Sequence, residues 1–204
     1  LFRSEIMQAL YPSLNGTTEL LYETEIASII PGPGLTNGIA LGLRAADRML
    51  DARVGDGSTT QVPYIPSAEP GQWRRTPPFF RPPLDPHWRY VKPFGIPSTD
   101  PFVPGPPPAM TTSAYAESYN ETKMLGGKTS TVRTKEQSSI AVFWSDFSYT
   151  AMPPGHWHEI AALIARNVGL DIPETARLFG LISIAQADGA IVCWEAKYRY
   201  NTWR

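Results

Sequence analysis

Apolar side chains recur at helical spacing along two stretches of the chain, and no strand alternation stands out in either. The first stretch predicts short helices over 3–11 and 17–30, then a longer one over roughly 37–53. Leu20, Leu21, Ile26 and Ile29-Ile30 stripe the second helix, and Ile39, Leu43, Ala46 and Leu50 stripe the third. Thr17 or Thr18 is the expected cap of the second helix, and Thr36 or Asn37 that of the third. Pro31-Gly32-Pro33-Gly34 breaks the chain between them, and Gly55-Asp56-Gly57 ends the third. The second stretch predicts helices over about 111–125, 133–146, 155–168 and 172–202. Thr134, followed by Glu136-Gln137, marks one start. Asp171, with Pro173 and Glu174 in the first turn, marks another.

Residues 58–109 interrupt this pattern. Most of the 21 prolines lie here, at a density that forbids a regular helix or a central strand. The same stretch carries Trp73, Phe79, Phe80, Trp88, Tyr90, Phe94 and Phe102, whereas disordered segments are poor in aromatics. The expectation is an ordered, extended loop whose aromatic side chains anchor it around a helical core. The fold class that follows is all-α: one helical domain, with helices over 1–57, a wrapping loop over 58–109 and helices over 110–204.

Composition narrows the function. The formal net charge of −1 gives no electrostatic case for nucleic acid or an anionic membrane surface. No run approaches the roughly 18 apolar residues expected of a membrane span. Cys193 is the only cysteine, so an internal disulfide and a thiolate metal site are both excluded, and it reads as a small core residue. His87, His156 and His158 lack the His-x3-His spacing of a helical zinc pair. Asn15-Gly16-Thr17 and Asn120-Glu121-Thr122 are sequons too short to carry weight. Residues 1–6 form no signal peptide. Leu1 stands in place of an initiator Met and the chain stops at Trp203-Arg204, so it reads as an interior piece of a longer protein.

The last helix is the informative one. It passes from the apolar run Leu178–Ala185 into the polar, aromatic end Trp194–Arg204. Trp194, Lys197, Asn201 and Arg204 are spaced by three, four and three, which places them on one helical face. Arg offers a planar fork of donors and Lys a compact charge, and together they suit a tetrahedral oxyanion. From spacing alone the simpler reading is a solvated end whose cations complement the helix dipole.

The longer string resembles a known family. Trp194-x-x-Lys197-Tyr198-x-Tyr200-Asn201-x-Trp203-Arg204 is similar to the opening of the Lys-x6-Arg-Pro signature of the vanadium haloperoxidase and type-2 phosphatidic acid phosphatase superfamily, closest to its haloperoxidase branch. Further matches follow in order over roughly 30–204. They include Asp56-Gly57-Ser58, Gly71-x-Trp73 with Pro77-Pro78, Trp88 with Pro93-Phe94, Arg133-Thr134-x-Glu136-Gln137, Pro154-Gly155-His156-Trp157 and Ala176–Phe179.

The resemblance implies a helical bundle that binds vanadate and oxidises halide with hydrogen peroxide. Lys197 and Arg204 would donate to vanadate oxygens, with Lys197 also polarising peroxide. Trp194 would line the pocket near the halide, and Glu136 and Asn201 would support from behind. The proline after the signature arginine, the later Ser-Gly-His segment, a second site arginine and the histidine that binds vanadium directly are not in this sequence. Pro154-Gly155-His156 precedes the signature and reads as a helix start instead. The chain would therefore supply the first part of a site completed by the remaining part of the same protein, and alone it would be inactive. An acid phosphatase on the same scaffold and a non-catalytic structural or assembly relative are the alternatives. The compartment is open, with a secreted or extracytoplasmic one favoured.

Overall fold

The structure, a computed structural model, describes residues 2–147 and 149–203. It is all-α: among the described residues there are seven α-helices and no strand, only an isolated bridge between Gln72 and Thr202. Contacts divide the chain into two compact units, Leu1–Thr59 and Thr60–Arg204.

The first unit holds α1 (Phe2–Leu10), α2 (Asn15–Ala27) and α3 (Pro33–Ala52). α1 packs against both of the others, and Ala46 of α3 is fully buried. Two expected caps are not used. α2 begins at Asn15, and the Thr18 hydroxyl instead donates back to the Leu14 and Asn15 carbonyls. α3 begins at Pro33, whose fixed φ and missing N–H suit a first helical position, so Thr36 and Asn37 are already inside the helix. After α3 the chain turns through Gly55 (φ 67°) and Gly57 (φ 97°), positions that favour glycine. Asp56 accepts from Arg53 Nε at 2.7 Å and from the Ser58 N–H at 2.9 Å. Burial pushes the Asp56 carboxyl upward, but the bonds from Ser58 and the Arg53 charge outweigh it and hold it below its ordinary value.

The second unit opens with the proline-rich segment, which contains only two short 3₁₀ turns, Trp88–Tyr90 and Asp100–Phe102. α4 (Ser113–Gly126), α5 (Lys135–Phe143), α6 (Met152–Val168) and α7 (Ile172–Tyr200) follow. Thr134 caps α5 and Asp171 caps α7, each in a reciprocal capping box, with Gln137 and Glu174 respectively. Pro154-Gly155-His156 does fall in the first turns of a helix, α6. Gly169, at φ 77°, ends α6, and two residues later Asp171 starts α7, so the two helices pack as a pair.

The segment does wrap α7, and two of the aromatics expected to anchor it take part: Trp73 and Trp88 are half-buried, Trp73 against Tyr64 and Trp88 in the turn that packs on α7. Phe79, Phe80, Tyr90, Phe94 and Phe102 are exposed. Polar groups on α7 make the rest of the attachment. Asp188, 5% exposed, accepts the N–H groups of Phe94, Gly95 and Ile96 at 2.6, 2.7 and 3.1 Å. Glu195, 6% exposed, accepts from Arg89 Nε at 2.8 Å and Arg199 Nε at 2.7 Å, and Arg199 reaches on to Asp100 at 3.0 Å. Asp188, Ile191, Glu195 and Arg199 recur at helical spacing, so one face of α7 carries the tie. The sequence expectation about membranes also needs correction: by length and composition alone α7 is long and apolar enough to cross one. Short polar residues interrupt its apolar run, so no unbroken stretch reveals this.

Candidate functional site

A cleft of about 670 Å³ opens beside the C-terminal end of α7, and Trp194 and Lys197 both line it. Their spacing of three sets them on adjoining turns of one face. The Lys197 ammonium sits 4.1 Å from the centre of the Trp194 ring, a cation–π contact. The Trp194 indole N–H donates to the Leu84 carbonyl at 3.1 Å, and the Tyr198 hydroxyl donates to the same oxygen at 2.6 Å. Tyr200 donates to the Pro104 carbonyl at 2.6 Å. Three side chains of one helix end thus hold both proline-rich walls of the cleft, at 82–84 and 104–107.

Tyr64 packs edge-on against Tyr198 and Trp73, with ring centres 5.1 and 5.7 Å apart. Burial raises the pKa of the Tyr64 and Tyr198 phenols, and for Tyr198 the neighbouring Tyr64 and Asp85 add to the rise. Both are therefore neutral hydroxyl donors at ordinary pH. The Tyr64 hydroxyl donates a hydrogen bond to the Asn201 side-chain oxygen.

The helix stops short of the predicted 202. Tyr200 is its last residue, and Asn201 takes a left-handed conformation (φ 50°, ψ 35°). Asn201 Nδ2 donates to Gln72 at 2.6 Å, its carbonyl accepts the Trp73 N–H at 2.7 Å, and the Trp203 N–H donates to the Gly71 carbonyl at 3.0 Å. The chain end is thereby laid beside residues 71–73. Asn201 still lines the cleft with Trp194 and Lys197, although the single helical face expected for them ends before it. Arg204, the fourth member of that expected face, lies outside the described residues.

Glu136 is not brought to this cleft. It is exposed in the first turn of α5, where an acid favours the positive end of the helix dipole. His156 is paired with Asp146 at 2.9 Å between Phe143 and Trp144, and His158 bonds the Pro154 carbonyl and Ser183. No group of three or more His, Cys, Asp or Glu that could hold a metal occurs among the described residues.

Sequence reading passed over Arg81, Tyr64 and the buried carboxylates of α7. For Asp188 a signal existed: a carboxylate within an apolar helical run needs donors from elsewhere in the fold. For Arg81 there was none, because its position opposite α7 depends on how the loop folds.

The lining of the cleft suits an anion. Its charged residues among those described are Lys197 and Arg81, and no Asp or Glu contributes to it. The Lys197 ammonium fits an oxyanion such as vanadate by charge, whereas the Trp194 indole, the tyrosine phenols and the Asn201 amide of the lining are already bonded within the protein.

No protein-family model and no curated protein sequence matches the chain. Among solved structures, the chain is similar to a bacterial vanadium-dependent iodoperoxidase, at 29% sequence identity and a TM-score of 0.75. The match covers 93% of this chain and 49% of that one, so the chain spans about half the length of that protein. The fold is helical and haloperoxidase-like.

Proposed function

We propose that this chain carries part of the active site of a vanadate-dependent haloperoxidase, with Lys197 as its anion-binding and polarising residue. The observation that carries the reading is the Lys197 ammonium, fixed over the Trp194 ring in a cleft without carboxylates. Similarity to a vanadium-dependent iodoperoxidase over nearly the whole chain supports it. Bound vanadate supplies a Lewis acid that activates hydrogen peroxide toward halide.

The chain's own contribution is electrostatic. Lys197 donates to an oxyanion oxygen and stabilises negative charge that grows there during reaction. Trp194 holds the ammonium from behind and, tied to the Leu84 carbonyl, keeps the wall in place. Arg204 would be a second donor, and the vanadium-binding histidine would come from the remaining part of the protein.

The test is vanadate- and peroxide-dependent iodide oxidation by the full-length protein. Lys197→Ala is expected to lower the rate by about 10²-fold or more while the circular dichroism spectrum is kept. An unchanged rate overturns the role of Lys197. Hydrolysis of an aryl phosphate without any halide oxidation would assign the same cleft to the acid phosphatase alternative.

A further inference from the structure

Among the described residues, Arg3, Arg53, Arg89 and Arg199 are paired with carboxylates. Arg81 and Lys197 make no ion pair among the described residues, and both line the cleft. Lys197 is on α7, whereas Arg81 stands on the proline-rich wall, exposed, with its guanidinium 5.5 Å from the centre of the Phe79 ring.

Thr76 and Arg81 are the polar side chains of that wall. Pro77, Pro82 and Pro83 have no N–H to offer an anion. Arg81 is its one charged group, in a cleft whose remaining walls are largely aromatic. A positive charge beside low-dielectric walls concentrates anions locally, and the nearby Asp85, which acts on Tyr198, does not itself line the cleft. The surroundings discriminate among them: aromatic and prolyl surfaces replace hydration poorly, so a large, weakly hydrated monoanion loses least on entering.

We propose that Arg81 is the halide-recruiting residue of the cleft, acting before and apart from Lys197 and selecting weakly hydrated monoanions such as iodide. The proposal rests on the haloperoxidase reading for its catalytic consequence but not for its binding consequence. Arg81 acts through charge from the exposed proline-rich wall, so charge, not guanidinium shape, is what matters.

Two measurements on the full-length protein test it. In steady-state iodide oxidation, Arg81→Gln is expected to raise the KM for iodide several-fold, with kcat held within about twofold. It should also flatten the fall of kcat/KM with added salt. Arg81→Glu should raise KM further, and Arg81→Lys should stay near the parent. Independently of activity, quenching of tryptophan fluorescence by iodide is compared with quenching by neutral acrylamide, since Trp73 and Trp194 line the cleft. The iodide-to-acrylamide ratio should drop in Arg81→Gln and be restored in Arg81→Lys. An unchanged ratio overturns the proposal, as does a loss of kcat at unchanged KM. If the protein oxidises no halide, the haloperoxidase reading fails and the quenching series alone decides the role of Arg81.

Discussion

Asp188 shows how much one side chain can organise. A carboxylate at 5% exposure is tolerated only because donors replace its lost water, and here three consecutive backbone N–H groups do so. The close approach also requires Gly95. A Cβ there would meet Ile184 Cγ2 at 2.6 Å and Asp188 Oδ2 at 3.3 Å. Asp188→Ala in the full-length protein is expected to cost roughly 3–5 kcal/mol, because three N–H groups would be left without an acceptor. Asp188→Asn should cost less, since its amide oxygen still accepts. Urea denaturation measures both, and a loss below about 1 kcal/mol for the alanine variant would show that the N–H groups find water instead. Sequence alone could flag Asp188 as a carboxylate in need of donors. It could not name Phe94 to Ile96, because those partners lie more than ninety positions away and offer only backbone.

At the scale of elements, starts were more legible than ends. Thr134 and Asp171 announce α5 and α7 because a capping box is written within four residues. The end of α7 is not local. Asn201 leaves the helix to meet Tyr64, Gln72 and Trp73, so the predicted boundary at 202 overran it. The wrapping segment was legible as ordered but only partly in its manner of attachment, since hydroxyls and carboxylates of α7 share with Trp73 and Trp88 what seven aromatics were expected to do. This makes Glu195 the central tie, receiving both Arg89 and Arg199. Arg199 in turn holds the Asp100 carboxyl below its ordinary value, with Ser98 helping. Glu195→Gln keeps the shape and removes the charge. Amide hydrogen exchange is expected to accelerate across residues 87–103 while α6 keeps its protection. Equal acceleration in both would mean that Glu195 supports the whole unit and not the tie.

For the whole molecule, the all-α class followed from helical spacing and the proline-rich interruption, while the extent of burial did not. Among the described residues the buried apolar ones are Ala46, Val91, Ala161, Ala165 and Ile191, yet Leu163, Ile164, Val168, Leu181 and Ile184 are exposed. Periodicity shows that a helix has an apolar face; it cannot show whether anything covers that face. The uncovered surface around α6 and α7 has two physical outlets: lipid or further helices. Lipid is disfavoured, although α7 is long enough. Spanning would carry Asp188, Glu195 and the polar segment bound to them into hydrocarbon, at about 2.5–3.5 kcal/mol for a central carboxylate such as Asp on an insertion scale. Helical packing fits better, since the similar iodoperoxidase is about twice as long as this chain. The 204 residues expressed alone are therefore expected to bind the dye ANS strongly and to unfold with a shallow urea dependence, because little apolar surface is hidden. They should not float with neutral phosphatidylcholine vesicles. Flotation would assign the face to lipid, and weak dye binding with a steep transition would mean that the chain covers its own apolar surface in solution.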